Sequence, residues 1–143
     1  LVGVLDESGM EPVQNRIEKL PFMDWRQLPA VIAGLDINLM PLENSLFHWC
    51  KSENKWTEAA LVKVPSVMSR NCEMEYVVEN GKDGWMCTTK EEWVNALEAL
   101  VTDEKARKAM GEAAHQKVME HYLTVNTGKD AMEELLCSES YTK

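Results

Sequence analysis

The sequence predicts an α/β chain: a parallel β-sheet with helices on both faces, followed by helices alone. Three observations lead there. Short apolar runs alternate with segments of helical period. The runs are apolar on successive residues, as strands covered on both faces must be. From about residue 103 onward only helical patterning remains.

The elements follow in order. "LVGVLD" (1–6) reads as a strand ended by the turn residues Asp6-Glu7-Ser8-Gly9. A shorter strand is expected over Ile17 to Leu20, closed by Pro21. Asp24 with Gln27 three residues on predicts a capping box for a helix reaching Gly34, with Pro29 in its first turn. "DINLMP" (36–41) is the third strand. A polar loop over 42–54, interrupted by "LFHW", leads to a two-turn helix "KWTEAALVK" (55–63) and a fourth strand "VPSVMS" (64–69). A short helix is expected within 72–80, then the turn "NGKDG", then a brief fifth strand "WMC" (85–87). Thr89 with Glu92 makes a second capping box, opening a helix with Trp93, Ala96, Leu97, Leu100 and Val101 on its apolar stripe. Thr102 or Asp103 caps the next helix, about 103–122, with a stripe of Ala106, Met110, Ala113, Lys117 and Tyr122. A last helix is expected over 128–138, before a frayed tail.

Composition bounds the function. A chain of 143 residues, 45% apolar and 27% charged, can build one core of ordinary globular kind. The net charge of −9 argues against nonspecific binding to nucleic acid or anionic membranes, which depends on summed positive potential. No apolar run approaches membrane-spanning length, and no leader pattern opens the chain. A cytoplasmic location is therefore expected. Cys50, Cys72, Cys87 and Cys137 have no CxxC pairing and no histidines at matching spacing, so neither a metal site nor any cofactor is expected. The histidines show no partner spacing either; His115 and His121 read as surface or half-buried residues, and His48 as a possible crevice contact. Trp25, Trp56 and Trp93 read as packing groups, while Trp49 suits either the core or stacking on a base or sugar.

In an open parallel sheet, ligands bind beyond the carboxyl ends of the strands. The third strand delivers the loop 42–54 there, and the fourth delivers Arg70 and Asn71. If helix has begun by Lys51, Lys51 and Lys55 share a face and can clamp a diphosphate, together with the backbone N–H groups of Ser52 to Asn54 at the helix tip. Glu58, one turn deeper, suits a carboxylate accepting two ribose hydroxyls. Asn44, Asn54, Arg70 and Asn71 are further candidate donor-loop contacts. The plain alternative stays open at this point: Lys55 and Glu58 at i,i+3 also read as an ordinary surface ion pair.

The order of these pieces resembles a known family. Gly34 to Leu42 ends a strand in "D-x-x-x-x-P-L"; "KSENKWTEAA" (51–60), "VPSVMS", "ENGKDGW" (79–85) and "EEWVNALEALVTDEKARKAMG" follow in turn. Together they are similar to the carboxyl-terminal lobe of the group 1 nucleotide-sugar glycosyltransferases, enzymes of the two-lobed GT-B fold with a Rossmann-like sheet. The resemblance implies that Glu58 is the second glutamate of a paired-glutamate motif, contacting the nucleotide ribose. Cys50 stands where the first glutamate would be, and Lys51 and Lys55 of the "K-S-x-x-K" variant would serve the donor diphosphate.

The resemblance further implies a donor lobe over 1–102, lacking its first strand–helix unit and the basic pair that unit carries, with a helical extension over 103–143 packed on it. The amino-terminal acceptor lobe would be the missing partner. The implied activity is metal-independent, retaining transfer of a sugar, of hexosyl type, from a nucleoside diphosphate sugar to an acceptor hydroxyl, in polysaccharide or glycoconjugate synthesis. No catalytic residue is assigned to this stretch, which is expected to be inactive alone. Two other readings share the fold pattern: a flavodoxin-like interaction module, and a GT-B-type nucleotide-sugar epimerase. A receiver module needs an Asp ending its third strand and a Lys ending its fifth; here Pro41 ends the third and no lysine directly follows "WMC".

Overall fold

The computed structural model describes residues 11–43, 45–129 and 132. The strand expected at 1–6, Asn44, Cys137 and most of the last expected helix lie outside the described residues. A 3-10 turn, Glu11–Arg16, precedes helix α1 (Leu28–Ala33), strand β1 (Asn38–Met40), the one-turn helix α2 (Leu46–Trp49) and helix α3 (Asn54–Leu61). Strand β2 (Ser66–Ser69), helix α4 (Cys72–Val77), strand β3 (Trp85–Cys87) and helices α5 (Lys90–Thr102) and α6 (Glu104–His121) complete the order.

The three strands pair in parallel in the order β1-β2-β3. Register puts Met40, Met68 and Met86 in one row across the sheet. Those side chains join Trp56, Ala60, Met74, Val78, Ala114 and Val118 in one core layer, under α3, α4 and α6. The alternate residues Val67 and Cys87 point to the opposite face, where Ala96, Leu100 and Met110 of α5 and α6 cover them. Burial on both faces explains why β2 and β3 read as continuous apolar runs.

Local signals acted where nothing competed. Thr89 accepts from the Glu92 N–H, and the Glu92 carboxylate reaches back to the Thr88 and Thr89 N–H groups, so the expected capping box forms. Those two N–H donors, Thr88 first, hold the Glu92 carboxyl below the usual range. Gly34 ends α1 as expected, and Asp103 caps α6 through the Lys105 and Ala106 N–H groups.

Five expectations are corrected. No strand forms over 17–20: the chain runs as a 3-10 turn to Arg16, Ile17 and Leu20 are only half-buried, and Leu20 makes a single bridge. Two apolar residues around charged Glu18 and Lys19 give too little surface to bury. The Asp24–Gln27 box does not form, because the Asp24 carboxylate is taken by the Arg26 N–H and guanidinium (2.9 and 3.1 Å); α1 starts at Leu28 without a side-chain cap. Trp25 is 71% exposed, with the Arg26 guanidinium over its ring, and is not a core group.

The buried stripe of α6 is Met110, Gly111, Ala114 and Val118, mostly one position from the expected one; Ala106 is exposed and Lys117 instead reaches Asp83 at 2.7 Å. The shift follows from Gly111, where α6 meets the Lys63 carbonyl. Residues 124–129 are already helical, earlier than expected, and the Asn126 amide donates to the Met119 and Glu120 carbonyls at the end of α6.

Helix α6 joins the sheet layer tightly. The Tyr122 ring packs edge-on to Trp56 at 6.1 Å, and His115 Nδ1 lies 3.1 Å from the Ala60 carbonyl. Burial, then the Glu53 charge and its hydrogen bond, push the Tyr122 hydroxyl up to about 12. A raised folded value means that stability is complete below the ordinary tyrosine value, about 10, and is lost as pH climbs through about 12. Denaturant midpoints measured across that alkaline window should therefore fall in the wild type and fall less in Tyr122→Phe.

Candidate functional site

The sheet delivers three strand ends to one place. β1 leads into Pro41, Leu42 and Glu43; β2 into Arg70, Asn71 and Cys72; β3 into Thr88. With His48 and Trp49 of α2, Glu75 of α4 and Trp93 of α5, they line a cleft of about 550 Å³. The volume suits a small organic ligand, and the position is where parallel sheets bind theirs.

The walls are built from backbone ties. Ser69, the last residue of β2, accepts from the Leu42 N–H (2.9 Å) and donates to the Leu42 carbonyl (3.0 Å), fastening the β1 exit to β2. The Arg70 N–H donates to the Cys87 carbonyl at 3.0 Å, carrying the β2–β3 pairing one residue past the strand. Asn71 is in extended conformation and caps α4, its Oδ1 accepting from the Met74 N–H at 2.8 Å. Ser45 caps α2, and its hydroxyl lies 2.8 Å from His48 Nδ1, which fixes the imidazole in the cleft wall. Glu92, bonded to the Thr88 N–H, anchors the β3 exit. Burial pushes the Cys87 thiol up, so it is a packed side chain and a poor nucleophile.

The charge is sparse. Arg70 is the cation of the lining, its Nη1 3.0 Å from Glu75 Oε1, with both side chains well exposed (39% and 51%). Such exposed pairs contribute about 0–1 kcal/mol. The guanidinium can therefore exchange Glu75 for a ligand anion at small cost. Among the described residues, no three His, Cys, Asp or Glu side chains gather as a metal site. Among them, too, no helix is long and apolar enough to cross a membrane.

Of the residues singled out from sequence, Arg70, Asn71 and His48 come together in this cleft. Lys51, Ser52, Asn54, Lys55 and Glu58 are not among its lining. Helix α3 begins only at Asn54, with Glu53 at its cap, so Lys51 precedes the helix and shares no helical face with Lys55. The Lys51 ammonium stands over the Phe47 ring of α2, 5.2 Å from its centroid. Lys55 and Glu58 are exposed on α3 and make no ion pair with each other. Sequence reasoning missed Glu75, Thr88 and Trp93. The end of β3 was open to the same strand-end rule that found Arg70, whereas Glu75 and Trp93 depend on how α4 and α5 pack.

A parallel sheet with helices on both faces and a cleft beyond its strand ends defines a Rossmann-like lobe. The chain belongs to the family described as "Glycosyl transferases group 1", whose model matches residues 2–103 of its 143. In solved structures it is similar to Anabaena Alr3699/HepE in complex with UDP and glucose (TM-score 0.72, 18% identity, 88% of this chain and 33% of that one). The same protein in complex with UDP-glucose matches with a TM-score of 0.71 at 18% identity, over 88% of this chain and 34% of that one. The C-terminal domain of a glycosyl transferase group 1 family protein (LpcC) from Francisella tularensis matches at 0.59 and 18% identity, over 79% and 57% of the two chains. At such identities the likeness is one of fold, the GT-B fold. The chain spans about one third of the HepE chain. No curated protein matches it in sequence.

Proposed function

We propose that this chain forms most of the donor-binding lobe of a retaining glycosyltransferase, one that transfers a hexosyl group from a nucleoside diphosphate sugar to an acceptor hydroxyl. The observation that carries the reading is the cleft beyond β1, β2 and β3 with Arg70 in its wall. Family membership and the UDP-sugar complexes of the HepE structures support it. Within this reading Arg70 leaves Glu75 for the donor diphosphate, and Asn71 lies beside it. Lys51, Ser52, Asn54 and Lys55, outside the cleft lining on the α2–α3 turn and the α3 tip, meet the diphosphate where it leaves the cleft. Glu58 accepts the ribose hydroxyls.

The chemistry needs a sink for the charge that builds on the departing diphosphate. Fixed cations and N–H donors aimed at that charge lower the barrier. Arg70, Lys51, Lys55 and the free N–H groups opening α3, which has no side-chain cap, supply it without a metal ion. The leaving phosphate then takes the acceptor's proton. A first strand–helix unit of this same lobe, outside this sequence, adds a basic pair, and a separate amino-terminal lobe presents the acceptor, the product being a polysaccharide or glycoconjugate made in the cytoplasm.

Calorimetric titration of the chain with uridine and guanosine diphosphates tests this. Saturable binding to one of them is expected, weakened about tenfold or more in Arg70→Ala and in Glu58→Ala, and unchanged in Lys108→Ala on the far helix α6. Absence of saturable binding by the folded chain contradicts the reading.

A further inference from the structure

The Asn71 side chain holds a feature that its capping role leaves unexplained. Asn71 is 7% exposed and lies in the cleft wall. Its Oδ1 is committed to the Met74 N–H, which fixes the orientation of the amide and leaves Nδ2 as the remaining donor. Nδ2 is shielded from solvent and has no hydrogen-bond partner; it is the buried side-chain atom so placed among the described residues. A buried donor without an acceptor is costly, and such groups in a native fold call for a reason. Capping alone supplies none: aspartate would satisfy the Met74 N–H equally well without carrying a donor.

We infer that Asn71 Nδ2 is a ligand donor, held ready for a phosphate oxygen of the nucleoside diphosphate that the cleft takes up. This deepens the proposed function and rests on it. Two features favour phosphate over base or sugar. Arg70, the preceding residue, is the cation of the lining, and its exposed pair with Glu75 is readily exchanged. The Asn71 amide is held in place by its cap on α4, so its N–H₂ group keeps a fixed orientation in the residue that follows Arg70. Since Nδ2 is covered by the surrounding wall, the phosphate reaches it as Arg70 leaves Glu75 and the adjoining wall rearranges. The pairing then gained opposes the cost of that rearrangement. Asn71 thereby acts as a phosphate-specific contact rather than as a general wall residue.

Two variants test it. Asn71→Ser keeps an oxygen for the Met74 N–H and removes the amide N–H₂, leaving a hydroxyl on a shorter arm. Asn71→Asp keeps the cap and puts a carboxylate where the amide nitrogen was. The thermal midpoint should stay near that of the wild type in Asn71→Ser, where a helix-capping oxygen remains, and fall in Asn71→Asp, where a carboxylate oxygen takes a covered place without a partner. Affinity for UDP and for pyrophosphate should fall about tenfold in Asn71→Ser and further in Asn71→Asp, while affinity for uridine stays as in the wild type. Unchanged UDP affinity in both variants, with the wild type binding, overturns this inference and leaves the donor-lobe reading standing. An equal loss for uridine also overturns it, by placing the contact on the nucleoside. A wild-type chain that binds neither UDP nor pyrophosphate overturns both.

Discussion

Replacing Trp56 with alanine is expected to destabilise the chain by about 3–5 kcal/mol, the range for removing a large buried aromatic side chain. Trp56 is fully buried at the centre of the layer that includes Met68, Met74 and Ala114. Its indole N–H donates to the Asp83 carbonyl at 2.9 Å. Asp83 is itself pinned: its Oδ1 accepts from the Glu79 N–H at 2.8 Å and its Oδ2 from Lys117 Nζ at 2.7 Å. The alanine variant therefore opens a cavity and strips a buried carbonyl of its donor at once. Trp56→Phe reduces the cavity while still losing the N–H, so it weights the lost hydrogen bond more heavily; a loss of about 1–3 kcal/mol is expected there. Denaturant unfolding of both variants gives the numbers, and equal stability of Trp56→Ala and wild type would contradict this packing. The consequence reaches function, because Trp56 seats α3, whose exposed turn carries Lys55 and Glu58.

Gly111→Ala is the second large effect, expected at about 2–3 kcal/mol despite the better helix propensity of alanine. A Cβ at Gly111 would stand 2.1 Å from the Lys63 carbonyl oxygen and 2.8 Å from its carbon. The obstacle is backbone, and it cannot retreat. The Lys63 N–H is bonded to the Ala60 carbonyl, the Val64 N–H to the Ala59 carbonyl, and Lys63 already sits at φ 62°, a left-handed conformation unfavourable for a residue with a Cβ. Gly128 is the control: nothing lies within 4 Å of a Cβ there, so Gly128→Ala should be neutral or stabilising. A thermal midpoint for Gly111→Ala matching that of Gly128→Ala would mean that α6 does not approach the α3–β2 turn this closely.

How far the sequence could be read follows from where each feature gets its energy. The Thr89–Glu92 box, the Gly34 stop and the Asp103 cap involve neighbours within a few residues, so composition at fixed spacing revealed them. The three strands were visible because both faces of β2 and β3 are buried, which demands unbroken apolar runs. Asp24 had an equally local alternative in Arg26, and spacing could not rank the two. The α6 stripe was misread because its register is set by Gly111 against Lys63, a contact between segments far apart in the chain. The site divides in the same way. Arg70 and Asn71 were found from their place after a strand, whereas Glu75 and Trp93 enter the cleft through the packing of α4 and α5. The face-sharing of Lys51 and Lys55 required helix from Lys51 onward, and Glu53 caps α3 too late for that.

The most direct measurement is a nuclear magnetic resonance titration of the chain with UDP, following backbone amides on both ends of the sheet. If the cleft is the diphosphate site, shifts will concentrate on Arg70, Asn71 and Thr88 at the carboxyl ends of β2 and β3, and will saturate. Shifts confined to Asn38, Ser66 and Trp85, where the same three strands begin, or none at saturating nucleotide, would contradict it.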